Sequence, residues 1–362
     1  MVLIASRMIG LVPVGTTPVK AKRNCGHQAF GLEREKCYVK IYTDLNKIKH
    51  PFTRPYVTIG NFDGVHLGHQ ILFSEVVNKA YVAKGTSVAI TFAPHPLQVV
   101  RPDTGIKLIS NCEQKRELIE MANIDVLVII PFTKDFAHMP AVAFVDDVLR
   151  TIIGVEELVV GYDYAFGKGR QGDIPFLRAQ GEMKGFKVSV VEPFFVDDML
   201  VSSTMIRKLV NEGRMNDVKK LLGRPYQIRG EVKMGQQRGG QLLGFPTANL
   251  HIADDDLCPR HGVYVTQVIY GGKCYGGVLN IGFNPTFGGN QVSAETHIFD
   301  FNQDIYGKPI KINLLQHLRD EKKFSGPTEL VQQIRLDIEA AHEVLRQAQK
   351  EILLSCEERF NR

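Results

Sequence analysis

The chain of 362 residues is 44% apolar and has a formal charge of +5, from 44 Lys and Arg against 39 Asp and Glu. Charges of both signs are spread along it without long blocks of one sign, which suits small anionic substrates better than a nucleic-acid partner. No run approaches the roughly 20 apolar residues of a membrane helix. The N-terminal stretch is interrupted by Arg7 and Gly10 and lacks a persuasive secretory cleavage site. We therefore expect a cytoplasmic protein that binds neither nucleic acid nor membrane.

The six cysteines show neither CxxC pairing nor the density of a disulfide scaffold. Reduced thiols are therefore expected. A zinc site at Cys25, His27 and Cys37 is disfavoured, because no fourth ligand follows at a regular spacing. Residues 1–37 are predicted to form a loosely ordered extension, or to reflect a start codon assigned too far upstream.

From residue 38 onward, short apolar runs of strand length alternate with helical patterns. The predicted strands are YVTIG (56–60), SVAITF (87–92), VLVII (126–130), ELVVG (157–161) and KVSVVEPF (187–194). Runs of this kind separated by helices predict parallel strands with crossovers, and hence an open α/β, Rossmann-like sheet. Ligands of such sheets bind beyond the carboxyl ends of the strands.

The pattern changes after LLGRPYQIRG, where glycine turns separate short alternating strands. The predicted strands are GVYVTQVIYGG, CYGGVLNIG, SAETHIFDF and PIKINLLQHL, followed by a final helix through TELVQQIRLDIEAAHEVLRQAQ. Strands at this spacing predict a small antiparallel β-barrel or sandwich. We expect two domains, 38–215 and 216–362, since a chain of this length exceeds one typical core.

A glycine-rich turn, GNFDGVHLGHQ (60–70), joins the first predicted strand to the first predicted helix. Such turns bind anions through free backbone N–H groups and the positive end of a helix dipole. No GK[ST] of a Walker loop follows. Instead, His66 and His69 project on one side, where imidazoles can donate to phosphate, and Gly68 lets phosphate approach the backbone. The turn is predicted to hold a polyphosphate, although an isolated helix-start histidine is more often a cap or a surface residue.

A second anion-binding element is predicted within VSSTMIRKLV (201–210). Ser202, Ser203 and Thr204 stand at a helix start, with Arg207 one turn further on. Hydroxyls, N–H groups and a guanidinium can therefore converge on one anion. The alternative is an ordinary capped helix with a solvated arginine.

Together with TFAPHP (91–96) and VVGYDYAFGKGRQGD (159–173), these strings resemble the adenylyltransferase module of the bacterial bifunctional riboflavin kinase/FAD synthetases, within the H-x-G-H nucleotidyltransferase superfamily. The resemblance implies catalysis by His66, His69 and Arg207, with FMN bound nearby. His95, between two prolines, could equally be a rigid turn residue. The residues implied around ATP are Gly60, Phe62, Asp63, His66, Gly68, His69, Ser203, Thr204 and Arg207, and those implied at the flavin are Asn61, His95 and Arg170.

In the second half of the chain, LGFPTANL (243–250) and SAETHIFDF carry candidate polar residues. If extended, Thr247 and Asn249 share one face and offer two neutral oxygens to a hard cation such as Mg²⁺, with ATP phosphates completing its shell. A turn with structural hydrogen bonds is the alternative. Glu295 is either a surface residue of its strand or a carboxylate that accepts a hydroxyl proton.

GFPTANL, NIGFNPTF, ETHIFDF, DIYG and LRDEKKF resemble the flavokinase barrel of the same family, so the resemblance covers residues from about 38 to 348. It implies that Glu295 activates the ribityl 5′-hydroxyl of riboflavin and that the loop around Arg319 closes over the flavin. One departure, Gly240 in a lengthened glycine-rich loop where a second basic residue is expected, bears on the kinase affinity for ATP. The residues implied to bind ATP are Gly244, Pro246, Thr247 and Asn249, and of these Thr247 and Asn249 are implied to hold Mg²⁺.

The sequence thus predicts a transferase that phosphorylates riboflavin to FMN in the barrel and adenylylates FMN to FAD in the α/β domain, using ATP and Mg²⁺ in both steps. A monomer or weak homo-oligomer is expected. One alternative is a single-activity nucleotidyltransferase whose barrel only binds ligand, and another is a catalytically silent flavin- or nucleotide-binding regulator. A class I aminoacyl-tRNA synthetase also uses H-x-G-H, but no KMSKS-like segment is present.

Overall fold

The computed structural model describes residues 39–234, 245–283 and 292–360. The extension predicted for residues 1–37 lies outside these ranges, as do Gly240 and Gly244. The described residues divide into two compact units, of which the first ends at Ser203 and the second begins at Thr204. Within the described ranges, no helix combines the length and apolar character needed to cross a bilayer.

A six-stranded sheet forms the centre of the first unit. Its strands are β1 Lys40–Tyr42, β2 Pro55–Ile59, β3 Thr86–Ala93, β4 Val126–Pro131, β5 Glu157–Gly161 and β6 Lys187–Val191. They lie in the order β1-β4-β3-β2-β5-β6, and every neighbouring pair is parallel. The direction of winding reverses between β2 and β5, which makes the carboxyl ends of these two strands the expected ligand crevice.

Helices cover both faces of this sheet, as buried parallel strands require. Because successive strand residues point to opposite faces, Val57 joins the apolar core on one side of β2 and Tyr56 joins the core on the other. The open α/β sheet predicted from the sequence is confirmed. The helices are α1 Leu67–Ala83, α2 Pro96–Val100, α3 Cys112–Met121, α4 Lys134–Ala137, α5 Ala141–Ala143 with its π-helical continuation Phe144–Ile153, and α6 Ile174–Lys184.

A short hairpin and two helices follow the last parallel strand. The hairpin pairs β7 Phe195–Val196 with β8 Met199–Leu200, and Asp197 and Asp198 between them both have positive φ, 47° and 60°, as a type I′ turn requires. Helix α7 spans Ser203–Asn211, and α8 spans Met215–Leu222.

Six antiparallel strands form the barrel of the second unit, in the order β10-β13-β12-β11-β14-β9. Beyond β9, the Lys233 N–H donates to the Asn249 carbonyl at 2.8 Å, which nearly closes the barrel. The final helix, α9, packs outside it around Val265, Phe299 and Ala341. The predicted barrel is therefore confirmed. The ranges are β9 Tyr226–Glu231, β10 Ala248–His251, β11 Gly262–Tyr270, β12 Lys273–Phe283, β13 Val292–Ile298, β14 Pro309–Arg319 and α9 Pro327–Phe360.

Candidate functional site

Two stacked imidazoles stand at the start of α1, where the glycine-rich turn ends. His66 is the N-cap residue, and its Nδ1 accepts a hydrogen bond from the His69 backbone N–H at 3.3 Å. The two rings are parallel within 19°, with centroids 3.6 Å apart. Because Nδ1 is an acceptor, a neutral His66 carries its proton on Nε2, and that atom is the one able to donate to a phosphate.

Ring packing explains two glycines of this turn, Gly68 between the two histidines and Gly60 before Phe62. A Cβ at Gly68 would lie 3.2 Å from Cε1 and from Nδ1 of His66, and a Cβ at Gly60 would lie 2.7 Å from Cε1 of Phe62. Phe62 is fully buried with a positive φ of 48°, and its ring meets His69 edge-on at 5.2 Å between centroids. Phe62 therefore packs against His69 from the core. Direct contacts of Gly60, Phe62 and Gly68 with ATP stay predictions.

The carboxylate of Asp63 is buried and fastens the turn to the loop before α3. It accepts hydrogen bonds from the backbone N–H groups of Ile109 at 3.0 Å and Ser110 at 3.1 Å. In return, the Gly64 N–H donates to the Ser110 hydroxyl at 2.9 Å. Asp63 thus fixes the shape of the turn from beneath.

Ser203, the last residue of the first unit, contacts the same turn. The Ser203 hydroxyl donates to the Asp63 carbonyl at 3.0 Å. Ser203 is therefore brought to the turn that carries the histidine pair, and its contact with ATP stays a prediction. Thr204 and Arg207 belong to the second unit, and their action on the same phosphates is still a prediction.

The residues expected at the flavin occupy loops beyond neighbouring strand ends. His95 follows β3 and caps α2: its Nδ1 accepts from the Leu97 N–H at 3.2 Å, while the Gln98 side-chain oxygen accepts from the His95 N–H at 3.1 Å. These hydrogen bonds make His95 a rigid turn residue at the start of α2. Arg170 is exposed in the loop after β5 and donates to the Asp163 carbonyl at 3.4 Å. Contacts of Asn61, His95 and Arg170 with FMN are untested predictions.

In the barrel, strand register brings Asn249 and Glu295 together. Asn249 on β10 lies directly opposite Glu295 on β13, which in turn lies opposite Asn280 on β12. Directly opposed residues of antiparallel strands share a face, with Cβ atoms about 4.5–5.5 Å apart. The sequence neighbours Ala294 and Ile281 are buried. The three polar side chains therefore form a row on the outer face of the barrel, which we call the Glu295 row.

His297 links the PTAN segment, residues 246–249, to the Glu295 row. Its Nδ1 lies 2.9 Å from the Pro246 carbonyl, so that the ring proton is on Nδ1, and its ring meets Phe245 edge-on at 5.5 Å. Sequence analysis missed both His297 and Asn280. His297 follows Glu295 by two residues, so the two-residue period of a strand could have placed it on the same face.

Thr247 and Asn249 fit the ligand set that Mg²⁺ accepts. The Asn249 side-chain nitrogen donates to the Thr247 carbonyl at 3.4 Å, while the Thr247 hydroxyl and the Asn249 amide oxygen make no hydrogen bond to any described residue. Hydroxyl and amide oxygens are hard, neutral ligands that leave room for phosphate and water in an octahedral shell. The described ranges contain no group of three His, Cys, Asp or Glu arranged for a metal ion.

Arg319 joins the end of β14 to α9. Its Nε and Nη2 donate to the Asp337 carboxylate at 3.0 and 2.7 Å, and Gln333 donates to the same carboxylate at 3.0 Å. The guanidinium also lies 5.8 Å from the centroid of the Phe324 ring. Arg319 is thus held at the base of the following loop, and its action on the flavin stays a prediction.

Comparison with known proteins decides the family. The model described as FAD synthetase matches residues 49–205, and the model described as riboflavin kinase matches residues 222–345. The bifunctional riboflavin kinase/FMN adenylyltransferase of Listeria monocytogenes is 34% identical over 82% of this chain and 91% of its own. That of Bacillus subtilis is 36% identical over 81% and 93%. The chain belongs to this family.

The bifunctional transferase is therefore built from an FAD-synthetase domain on the parallel sheet and a riboflavin-kinase domain on the barrel, as predicted. A crystal structure from Streptococcus pneumoniae, reported as a macrolide-efflux protein, matches with a TM-score of 0.76 and 31% identity over 84% of this chain and 99% of that one. The efflux name describes that protein, whereas the fold likeness covers most of this chain.

Proposed function

We propose that this bifunctional transferase carries out its two reactions at separate sites, each with its own ATP. Riboflavin is phosphorylated at the Glu295 row, and the resulting FMN is adenylylated at the turn that carries His66 and His69. The observation that supports two sites most strongly is that each unit carries its own group of candidate polar side chains on its own sheet: stacked imidazoles at the carboxyl end of β2, and Asn249 opposite Glu295 in the barrel.

In the kinase reaction, Glu295 accepts the proton of the ribityl 5′-hydroxyl as that oxygen attacks the γ-phosphorus of ATP and ADP leaves. A general base typically contributes about 10² to 10⁴ in rate. Thr247 and Asn249 would hold Mg²⁺, which would supply positive charge to the ATP phosphates. His297, by fixing the Pro246 carbonyl, keeps the PTAN segment beside the base.

In the adenylyltransferase reaction, an oxygen of the FMN phosphate attacks the α-phosphorus of ATP, and the bond to the pyrophosphate oxygen breaks. His66 and His69 donate to the phosphate oxygens on which charge accumulates. Their stack gives both donors fixed positions before substrate arrives, so little reorganisation is needed in the transition state. The Arg207 guanidinium offsets the charge of the departing pyrophosphate, and the Thr204 hydroxyl donates to one of its oxygens.

The remaining assignments follow from composition and motif order. We propose a domain boundary near residues 215 and 216, so that α7 and its SSTMIR motif act with the adenylyltransferase. Mixed surface charge and small anionic substrates agree with a cytoplasmic enzyme that is a monomer or weak homo-oligomer and binds no nucleic acid.

Product separation tests this proposal. Purified protein incubated with riboflavin, ATP and Mg²⁺ should produce FMN and then FAD, and chelation of Mg²⁺ should stop both. His66→Ala and His69→Ala should lower FAD formation from FMN by about 10² or more while riboflavin phosphorylation continues. His50→Ala, an exposed histidine of the same unit, is the matched control. A parallel loss of both activities in a folded His66→Ala protein would instead indicate one shared ATP site.

A further inference from the structure

Lys115 of α3 is a buried cation that the mechanism above does not use. Its side chain lies beneath the glycine-rich turn, and the residue is only 8% exposed. The ammonium donates to three neutral oxygens: the Asn61 carbonyl at 3.1 Å, the Thr91 hydroxyl at 3.4 Å and the Phe92 carbonyl at 3.4 Å. All three donor positions of the ammonium are therefore directed at the ends of β2 and β3.

This placement is electrostatically costly. Burial lowers the pKa of Lys115, and the nearby Cys112 and Asp63 act in the opposite direction. The Asp63 carboxylate is itself held by backbone N–H groups rather than by the ammonium. A buried charge without a direct ionic partner is unfavourable, and an apolar side chain of similar length would fill the same volume without the desolvation of a charge. Packing alone therefore does not explain a lysine here.

The positions of its acceptors suggest what the charge does. Asn61 lies two residues beyond β2, and Phe92 is the penultimate residue of the adjacent strand β3. Ligands of such sheets bind beyond the carboxyl ends of the strands, on the side of the sheet where these oxygens lie. The partial negative charge of these oxygens opposes an incoming triphosphate, and a cation hydrogen-bonded to two of them offsets this repulsion.

We propose that Lys115 is a positioning residue of the adenylyltransferase site. It clamps the carboxyl ends of β2 and β3 together under the turn and screens the Asn61 and Phe92 carbonyls from the ATP phosphates. The clamp also fixes the backbone two residues before Asp63 and five before His66. This inference rests on the proposed function in one respect, namely that ATP binds at the histidine pair.

Two substitutions separate charge from shape. Lys115→Met keeps the length of the side chain and removes the charge, whereas Lys115→Arg keeps a charge. We expect Lys115→Met to raise the KM for ATP in FAD formation and to lower kcat/KM about tenfold or more, with the kinase KM for ATP unchanged. Lys115→Arg should recover a measurable part of this loss. Lys187→Met, which removes an exposed lysine from the same unit, should leave both activities unchanged.

A purely structural role predicts a different pattern, in which Lys115→Met lowers the melting temperature and kcat falls while the KM for ATP stays constant. That pattern, or FAD formation within about twofold of wild type, overturns the proposal. If Lys115→Met does not fold, Lys115→Gln is assayed for equilibrium binding of a non-hydrolysable ATP analogue to the site, and wild-type affinity there also overturns it. If His66→Ala leaves FAD formation intact, the proposed function has failed, whereas an intact Lys115→Met beside an impaired His66→Ala refutes only the role of Lys115.

Discussion

Replacing Gly68 by alanine tests whether the stacked histidine pair dictates the glycine of the H-x-G-H motif. The new Cβ would lie 3.2 Å from two ring atoms of His66, which is closer than an ordinary van der Waals contact. His66 has little freedom to yield, because it is 6% exposed and its ring centroid lies 3.6 Å from that of His69. Either the His66 ring or the backbone at residue 68 must therefore shift by a few tenths of an ångström, and both shifts disturb the stacked pair.

The expected change in stability is small because two effects oppose each other. Alanine in place of glycine within a helix stabilises by about 0.5–1 kcal/mol. Weakening the N-cap hydrogen bond of His66 costs about 1 kcal/mol. The free energy of unfolding should therefore change by less than about 1 kcal/mol, so that any loss of activity reflects the site rather than the fold.

Activity should respond much more strongly than stability. Because misplacing a catalytic group by 1 Å can cost about 10² in rate, we expect FAD formation from FMN to fall about tenfold, with riboflavin phosphorylation as the internal control. Gly326→Ala is the matched control, since its Cβ would meet no atom within 4 Å. FAD formation by Gly68→Ala within about twofold of wild type would refute the reasoning.

Two further predictions concern the second unit. Asp337→Ala leaves the Arg319 guanidinium without its buried carboxylate, so chemical denaturation should show a loss of about 3 kcal/mol, and a loss below about 1 kcal/mol would contradict the ion pair. Hydrogen bonds from Ser325 and Lys322 lower the pKa of Glu329 from 4.5 to about 2. Because the folded value lies below the unfolded one, its stabilising effect is complete above about pH 4.5 and is lost as the pH falls toward 2. A carboxyl titration followed by NMR should show this midpoint, and a midpoint near 4.5 would count against these contacts.

Local apolar patterns were sufficient to predict most of the parallel sheet. The strand expected at 56–60 is Pro55–Ile59, and the helix expected at 68–84 is Leu67–Ala83. The edge strand Lys40–Tyr42 was missed because three residues, KIY, carry too little periodicity. Strand β10 was interpreted as an extended loop, since only its pairing with β13 distinguishes the two.

The motifs identified the histidine pair and the PTAN segment, but the surrounding contacts come from distant parts of the chain. Asp63 is held by Ser110, 47 residues away, and Lys115 reaches Asn61 across 54 residues. The row that joins Asn249, Glu295 and Asn280 depends on the register of three strands. A single sequence carries no local signal for such pairings, so the buried lysine and Asn280 emerge only from the folded chain.

Separate assays of Glu295→Gln test the central claim, that the two reactions use different sites, most directly. Glutamine keeps the shape of the side chain but cannot accept the proton, so FMN formation from riboflavin should fall by about 10² to 10⁴. FMN supplied from outside should still be converted to FAD at the wild-type rate. Riboflavin phosphorylation within about threefold of wild type, equivalent to only about 0.7 kcal/mol of activation free energy, or an equal loss of both activities, would contradict the account.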